Sequence, residues 1–205
     1  MIRAGVGTAT PDEVTVLALA ARDGDRAAFG TMVRRTQGDV WRLCAFLVDE
    51  ASADDLTQET YLRAVTAIGR FRGEATARTW LLSIARRVCI DVVRRRVRGR
   101  RAFQRLSEPT AVDDRSGEIE LHALLRSLDP DRRAAFTLTQ LLGLSYDEAA
   151  AVVGCPVGTI RSRVARARAD LLAAVTVDSG DAPDQAPDPP GDEARRRGWS
   201  RPGRG

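Results

Sequence analysis

The sequence predicts an all-α protein built from two small helical domains. Three observations carry that expectation. Apolar residues recur every three or four positions over Asp12 to Phe29 and Asp54 to Ile68, and strand-type alternation is nearly absent. A polar stretch from Val97 to Gly117 then separates two such periodic blocks, as a tether between two small cores would.

Residues 1–13 read as a flexible N-terminus. They hold a lone Arg3 among small and polar residues, without the apolar core or cleavage site of a secretory signal. The longest apolar stretches, such as Trp80 to Ile84, fall far short of the roughly 18 residues that span a bilayer. The expected location is the cytoplasm, with no membrane partner. Cys44, Cys89 and Cys155 are too far apart for a zinc half-site, and an odd count argues against a disulfide framework, so reduced, partly buried thiols are expected. His122 is the one histidine, and neither a Gly-x-Ser-x-Gly elbow nor a P-loop occurs. No catalytic residue, metal or cofactor is therefore expected. The net charge of +4 and pI near 9.6 point only weakly to a polyanion. All 32 basic residues are arginine, a bias that GC-rich coding produces by itself, so their placement carries the information.

The first domain is expected over residues 14–97. Within it Asp49, Glu50, Asp54, Asp55 and Glu59 form an acidic run without a basic residue, and Gln58, Thr60 and Arg63 continue the same helix. Leu56, Leu62 and Val65 are available for its buried side. Only Asp55 and Glu59 stand one helical turn apart, which is thin material for a metal or acid/base site. A face that docks on a basic partner is the stronger reading. From Phe71 to Arg101 ten arginines oppose Glu74 and Asp91, a local net of +8. Trp80, Ile84, Val88 and Val92 repeat as a buried stripe, while Ser83, Arg86, Arg87 and Arg94 share another side. A basic face beside Phe71 and Trp80 suits a phosphate backbone and an unpaired base, although Trp80 fits equally well as core.

Residues 98–117 read as a linker whose Arg98, Arg100, Arg101 and Arg105 suit a nucleic-acid channel. The second domain, 118–175, begins beside His122, for which a surface or half-buried place fits better than ligation. Its end carries a helix-turn-helix. Ser145 and Glu148 form a capping box, Ala149, Ala150 and Val153 are its buried side, Gly154 supplies a left-handed turn, and Pro156 precedes a new helix near Gly158. On that helix Ile160, Val164, Ala167 and Leu171 make the core side. Ser162, Ala165, Arg166 and Ala169 lie opposite, flanked by Arg161 and Arg163, so a small-residue strip can sink into a major groove. A solvated arginine face is the bland alternative. The tail, 176–205, holds five of nine prolines, an acidic run (Asp178, Asp181, Asp184, Asp188, Asp192, Glu193), Arg195 to Arg197 and Trp199. It is expected to be disordered.

The three segments, in this order and spacing, resemble the extracytoplasmic-function (ECF) sigma factors of the sigma-70 family, from about Val14 to Ala174, and within them the SigC-type members of actinobacteria. Asp54 to Ala64 is similar to the family's polymerase-binding helix, Phe71 to Arg96 to its promoter-melting segment, and Cys155 to Arg163 to its recognition helix. The resemblance implies that Asp54, Asp55, Leu56, Gln58, Glu59, Leu62 and Arg63 meet the clamp helices of the largest subunit of core RNA polymerase. It implies a minus-ten site of Phe71, Arg72, Arg78, Trp80, Ser83, Arg86, Arg87 and Arg94, which opens the element and holds a flipped non-template base and the single strand. A minus-thirty-five site would comprise Thr159, Arg161, Ser162, Arg163, Ala165 and Arg166 against duplex promoter DNA, with Arg168 near phosphates. The polymerase flap is implied as a further contact, an anti-sigma factor is admitted as a partner, and the linker would thread toward the active-site cleft. The chain would then sit with the nucleoid. Competing readings are a dimeric helix-turn-helix regulator and a magnesium nuclease using Asp54, Asp55 and Glu59.

Overall fold

A computed structural model describes residues 12–103 and 118–178, with side chains for 12–98 and 121–176. The helices are α1 (Glu13–Arg22), α2 (Arg26–Leu47), α3 (Ala53–Ala67) and α4 (Ala77–Phe103), then α5 (Glu118–Ser127), α6 (Pro130–Phe136), α7 (Tyr146–Val153) and α8 (Val157–Asp178). Short polar side chains start most of them by satisfying backbone donors that have no partner within the helix. Asp12 accepts from Thr15 N, Asp25 from Ala27 N and Ala28 N, and Asp129 from Asp131 N and Arg132 N. The capping box is present: Ser145 Oγ accepts from Glu148 N at 3.2 Å, and Glu148 accepts from Ser145 N at 2.9 Å.

Gly154 ends α7 at φ 75° and ψ 43°, with no side chain close to where a Cβ would stand. Only backbone strain opposes substitution there. Gly154→Ala is expected to lose about 1–2 kcal/mol in urea denaturation, and an unchanged midpoint would mean that the turn tolerates another geometry.

In the first domain Met32, Val40 and Leu43 of α2 pack with Leu56 and Ala64 of α3 and with Leu81, Leu82 and Val88 of α4. Each such Leu contributes about 1.5–3 kcal/mol by burial. In the second domain Leu138, Leu142 and Leu144 pack with Ala149 and Val152 of α7 and Ile160 and Val164 of α8. These are not two separate cores. Both sets belong to one cluster, because α4 lies against α7. Phe46 of α2 joins Leu125, Leu128 and Ala167 in a second cluster, and the His122 ring stands edge-on to Phe46 at 4.7 Å.

Three details differ from the sequence reading. The helix that begins at Ala77 continues to Phe103, into the segment expected to be linker, because arginine is a good helix former and no proline intervenes. Leu62 and Val65 are 58% and 51% exposed, since α3 turns Ala53, Leu56, Thr60 and Ala64 inward instead. Val152 takes the buried place expected for Val153, which is only partly covered. Residues 1–11, the linker residues 104–117 with Arg105, and the tail 179–205 with Trp199 lie outside the described residues, as do the side chains of Arg100 and Arg101.

Candidate nucleic-acid interface

The connection from α3 to α4 turns at Ile68–Arg70 and brings Phe71 back under α4. Phe71 is 4% exposed, and its ring centroid lies 5.1 Å from that of half-buried Trp80. A buried Phe71 supports the site from beneath and does not itself present a stacking face. Above it a groove of about 250 Å³ is lined by Arg72, Gly73, Thr79, Trp80 and Ser83, with Ala151 of α7 at its rim. Ser83 Oγ donates to Trp80 O at 2.7 Å.

The arginines of this region fall into two sets. Among the described residues Arg72 is well exposed, with Glu74 at 3.7 Å as its ion-pair partner, and Arg87 and Arg94 are exposed with no ion pair. Arg78 and Arg86 are engaged across the domain boundary. Arg78 Nε donates to Asp39 at 2.6 Å, and its Nη2 donates to Leu142 O at 2.6 Å. Arg86, whose side chain is 15% exposed, donates to Val153 O at 3.4 Å and faces Asp131 at 3.7 Å. Burial lowers the pKa of Arg86, and Asp131 opposes that only in part. A guanidinium so poorly compensated is suited to an added anion such as phosphate.

On α8, Arg161, Ser162, Ala165 and Arg166 are exposed and Thr159 is partly covered. The Arg161 guanidinium carbon lies 5.9 Å from the centre of the Tyr146 ring, near the limit for a cation–π contact. Arg163 is held by Asp131 at 2.5 Å and Arg168 by Gln140 at 2.6 Å. Arg161 and Arg166 are therefore the cations of this strip without an ion pair or hydrogen bond among the described residues.

The α3 face combines charge and apolar surface. Asp54 accepts from Trp41 Nε1 at 3.0 Å, and Glu59 pairs with Arg63 at 2.7 Å, which also reaches Asp91 of α4 at 3.0 Å. Those two bonds, Glu59's first, raise the Arg63 pKa. Asp55 and Gln58 are exposed, and Leu56 is core and positions the helix. Leu62 and Val65 add an outward apolar pair. Burial pushes the Asp49 carboxyl up, but hydrogen bonds from Arg96 and Ser52 outweigh it and hold the group below the usual carboxylate range. Sequence reasoning missed Asp39 and Asp131, which occupy Arg78, Arg86 and Arg163 from 32 to 45 residues away in the chain. No local pattern signals pairs at that separation. Among the described residues no three His, Cys, Asp or Glu side chains converge to hold a metal ion, and no helix is long and apolar enough to cross a membrane.

Comparison with known proteins covers most of the chain. The family description "Sigma-70 region 2" fits residues 32–99, and "Sigma-70, region 4" fits residues 118–171. The ECF RNA polymerase sigma factor SigC of Mycobacterium tuberculosis (strain CDC 1551 / Oshkosh) is 53% identical over 174 residues, covering 81% of this chain and 94% of the relative. Among solved structures, CnrH in complex with the cytosolic domain of CnrY superposes with a TM-score of 0.65 at 30% identity, over 80% of this chain and 97% of the other. The sigma factor RpoE of Bartonella quintana, in complex with the anti-sigma factor NepR, gives 0.64 at 28% identity, over 73% and 98%.

Proposed function

This chain belongs to the ECF branch of the sigma-70 family, and from that premise we propose how its surfaces share the task of directing RNA polymerase to promoters and initiating transcription there. The acidic and apolar face of α3, with Asp54, Asp55, Gln58, Glu59, Leu62 and Arg63, docks on the clamp helices of core polymerase. Leu56 holds that face in place from the core. Domain 14–97 then takes the minus-ten element. Trp80, Ser83 and Arg72 surround the 250 Å³ groove that receives an unstacked base, backed by Phe71, while Arg78, Arg86, Arg87 and Arg94 hold the strand. Domain 118–175 sets α8 into the minus-thirty-five major groove, where Arg161 and Arg166 reach base edges, Ser162 and Ala165 allow close approach, and Thr159 and Arg163 take phosphates. The chain acts without chemistry of its own and works at the nucleoid, and the relative solved with the anti-sigma factor NepR supports such a partner here.

The observation that carries the reading is the outward strip of α8, two uncommitted arginines on either side of small residues, on a helix whose other side buries Ile160, Val164 and Ala167. The promoter's geometry adds a requirement. Elements about 25 base pairs apart lie about 85 Å apart along B-DNA. Domains that share one core cannot reach both, so they part when the promoter is bound. The 14 residues from 104 to 117 span at most about 50 Å when extended, and the two domain bodies supply the rest.

Run-off transcription with purified core polymerase, with and without the chain, on a pool of genomic promoter fragments tests this directly. Protein-dependent starts with shared upstream elements support it, whereas tight duplex binding without initiation would favour a dimeric regulator. Arg166→Ala is expected to weaken promoter binding by about 1–3 kcal/mol and to relax preference at one position. An unchanged preference would remove Arg166 from base readout.

A further inference from the structure

The surfaces described so far leave the cysteines unused. Cys44 and Cys89 are 45 residues apart in the chain, yet α2 and α4 bring their Sγ atoms to 3.7 Å. Cys44 is fully buried and Cys89 is 1% exposed. Thr57 of α3 has a buried hydroxyl with no hydrogen-bond partner among the described residues, and the Cys44 sulfur is the polarisable group beside it. The Cys89 thiol donates toward Cys44 and so holds the Cys44 thiol below its usual range despite burial. The same donated proton, together with burial, pushes the Cys89 thiol up. The pair is thus polarised, with Cys44 the more thiolate-like sulfur.

The pair also adjoins a cleft, Cys89 directly and Cys44 behind it across the 3.7 Å contact. Cys89 lies on the wall of a cleft of about 360 Å³ between the domains, with Leu47, Ile90 and Val93 on its own side and Pro130 and Ala134 opposite. That volume is several times the roughly 30 Å³ share of a water molecule, so a molecule as small as hydrogen peroxide fits. No third ligand turns the pair into a metal site among the described residues.

We propose that Cys44 and Cys89 are an oxidisable dithiol, converted by hydrogen peroxide entering the interdomain cleft into an intramolecular disulfide that joins α2 to α4. The Cys44 sulfur, the more thiolate-like of the two, attacks one peroxide oxygen and the O–O bond breaks. The departing hydroxide leaves as water with the Cys44 proton, and Cys44 becomes a sulfenic acid. Cys89 then attacks the Cys44 sulfur, the S–O bond breaks, and the hydroxyl leaves as a second water with the Cys89 proton. Two thiols and one peroxide give one disulfide and two waters; the sulfurs lose two electrons and the peroxide gains them. The sulfurs must close from 3.7 Å to about 2.05 Å. The product restrains α2 and α4, which flank α3, so the oxidant acts on the helical body that presents the proposed polymerase face. This assignment rests on the first domain's geometry and stands apart from the promoter reading.

The test uses the full chain, reduced and then exposed to a small excess of hydrogen peroxide, followed by alkylation, digestion and mass spectrometry. The expected product is a Cys44–Cys89 cross-linked peptide two hydrogens lighter, formed at a rate independent of protein concentration and reversed by dithiothreitol. The thermal midpoint of the oxidised chain is expected to rise by roughly 5–10 °C. Val93→Trp, which fills the cleft and leaves both sulfurs in place, is expected to slow cross-linking several-fold. Oxidation confined to Cys155, or Cys44 and Cys89 fully alkylated after unfolding, would overturn the dithiol. An unchanged rate in Val93→Trp would overturn entry through the cleft.

Discussion

Replacing Asp54, Asp55 and Glu59 together by alanine is expected to weaken binding to core polymerase about 100-fold while leaving the helical bundle intact. Each exposed carboxylate facing a basic partner contributes about 1 kcal/mol, and the three together about 3 kcal/mol. The fold should survive because none of the three is core. Trp41 Nε1 loses Asp54 but stays at the surface, where water replaces the acceptor, and Arg63 keeps Asp91 at 3.0 Å after Glu59 is removed. Titration against purified core polymerase at two salt concentrations reads the effect, and the loss should shrink as salt rises. Leu62→Ala on the same face should weaken binding without that salt dependence, because its side chain is an exposed apolar contact. Unchanged affinity in the triple variant, with an unchanged melting curve, would move the docking surface off α3.

Asp131→Arg is expected to drive the two domains apart. Asp131 is the carboxylate between Arg163 at 2.5 Å and Arg86 at 3.7 Å, and Arg86 is already poorly compensated. Reversing its charge sets three guanidiniums against one another in a partly buried place. A penalty of about 3 kcal/mol on the closed arrangement multiplies the open population about 100-fold. Scattering should show a larger radius of gyration, and the free chain should bind promoter duplex more tightly, since Arg86 and Arg163 are released together. Unchanged dimensions would mean that the Asp131 contact does not hold the domains. Unchanged duplex affinity in an expanded chain would mean that Arg86 and Arg163 do not limit DNA binding.

Much of the second domain was legible because its signals are local. Ser145, Glu148, Gly154 and Pro156 each satisfy or forbid a backbone interaction within four residues, and the stripe Ile160, Val164, Ala167 follows helical period whatever packs on it. On α3 the acidic positions are legible from the sequence, and of its expected buried residues Leu56 is core whereas Leu62 and Val65 turn outward. Leu62 and Val65 look like core by type, but the close approach of α2 and α4 admits Ala53, Thr60 and Ala64, and periodicity alone does not show how near a neighbour will come. The burial of Phe71 is illegible for the same reason, since aromatic character does not reveal which side of a loop faces inward. The Asp131 contacts and the Cys44–Cys89 approach depend on how distant segments meet, and no spacing rule reports them.

The inward-turned arginines also bear on where this molecule spends its time. A genome offers about 10⁶–10⁹ competing non-specific sites, and each phosphate contact a protein can make adds about 0.9 to the steepness with which binding falls with salt. With Arg86 turned to Val153 O and Asp131, and Arg163 to Asp131, the free chain carries at least two fewer such contacts than its composition allows. It is expected to bind random duplex with a salt slope shallower by about 2 than Asp131→Arg does. A factor with those side chains deployed from the start would be soaked up by irrelevant DNA, whereas this one stays in the diffusing pool from which polymerase recruits, and it commits its cations only after the enzyme has set the search.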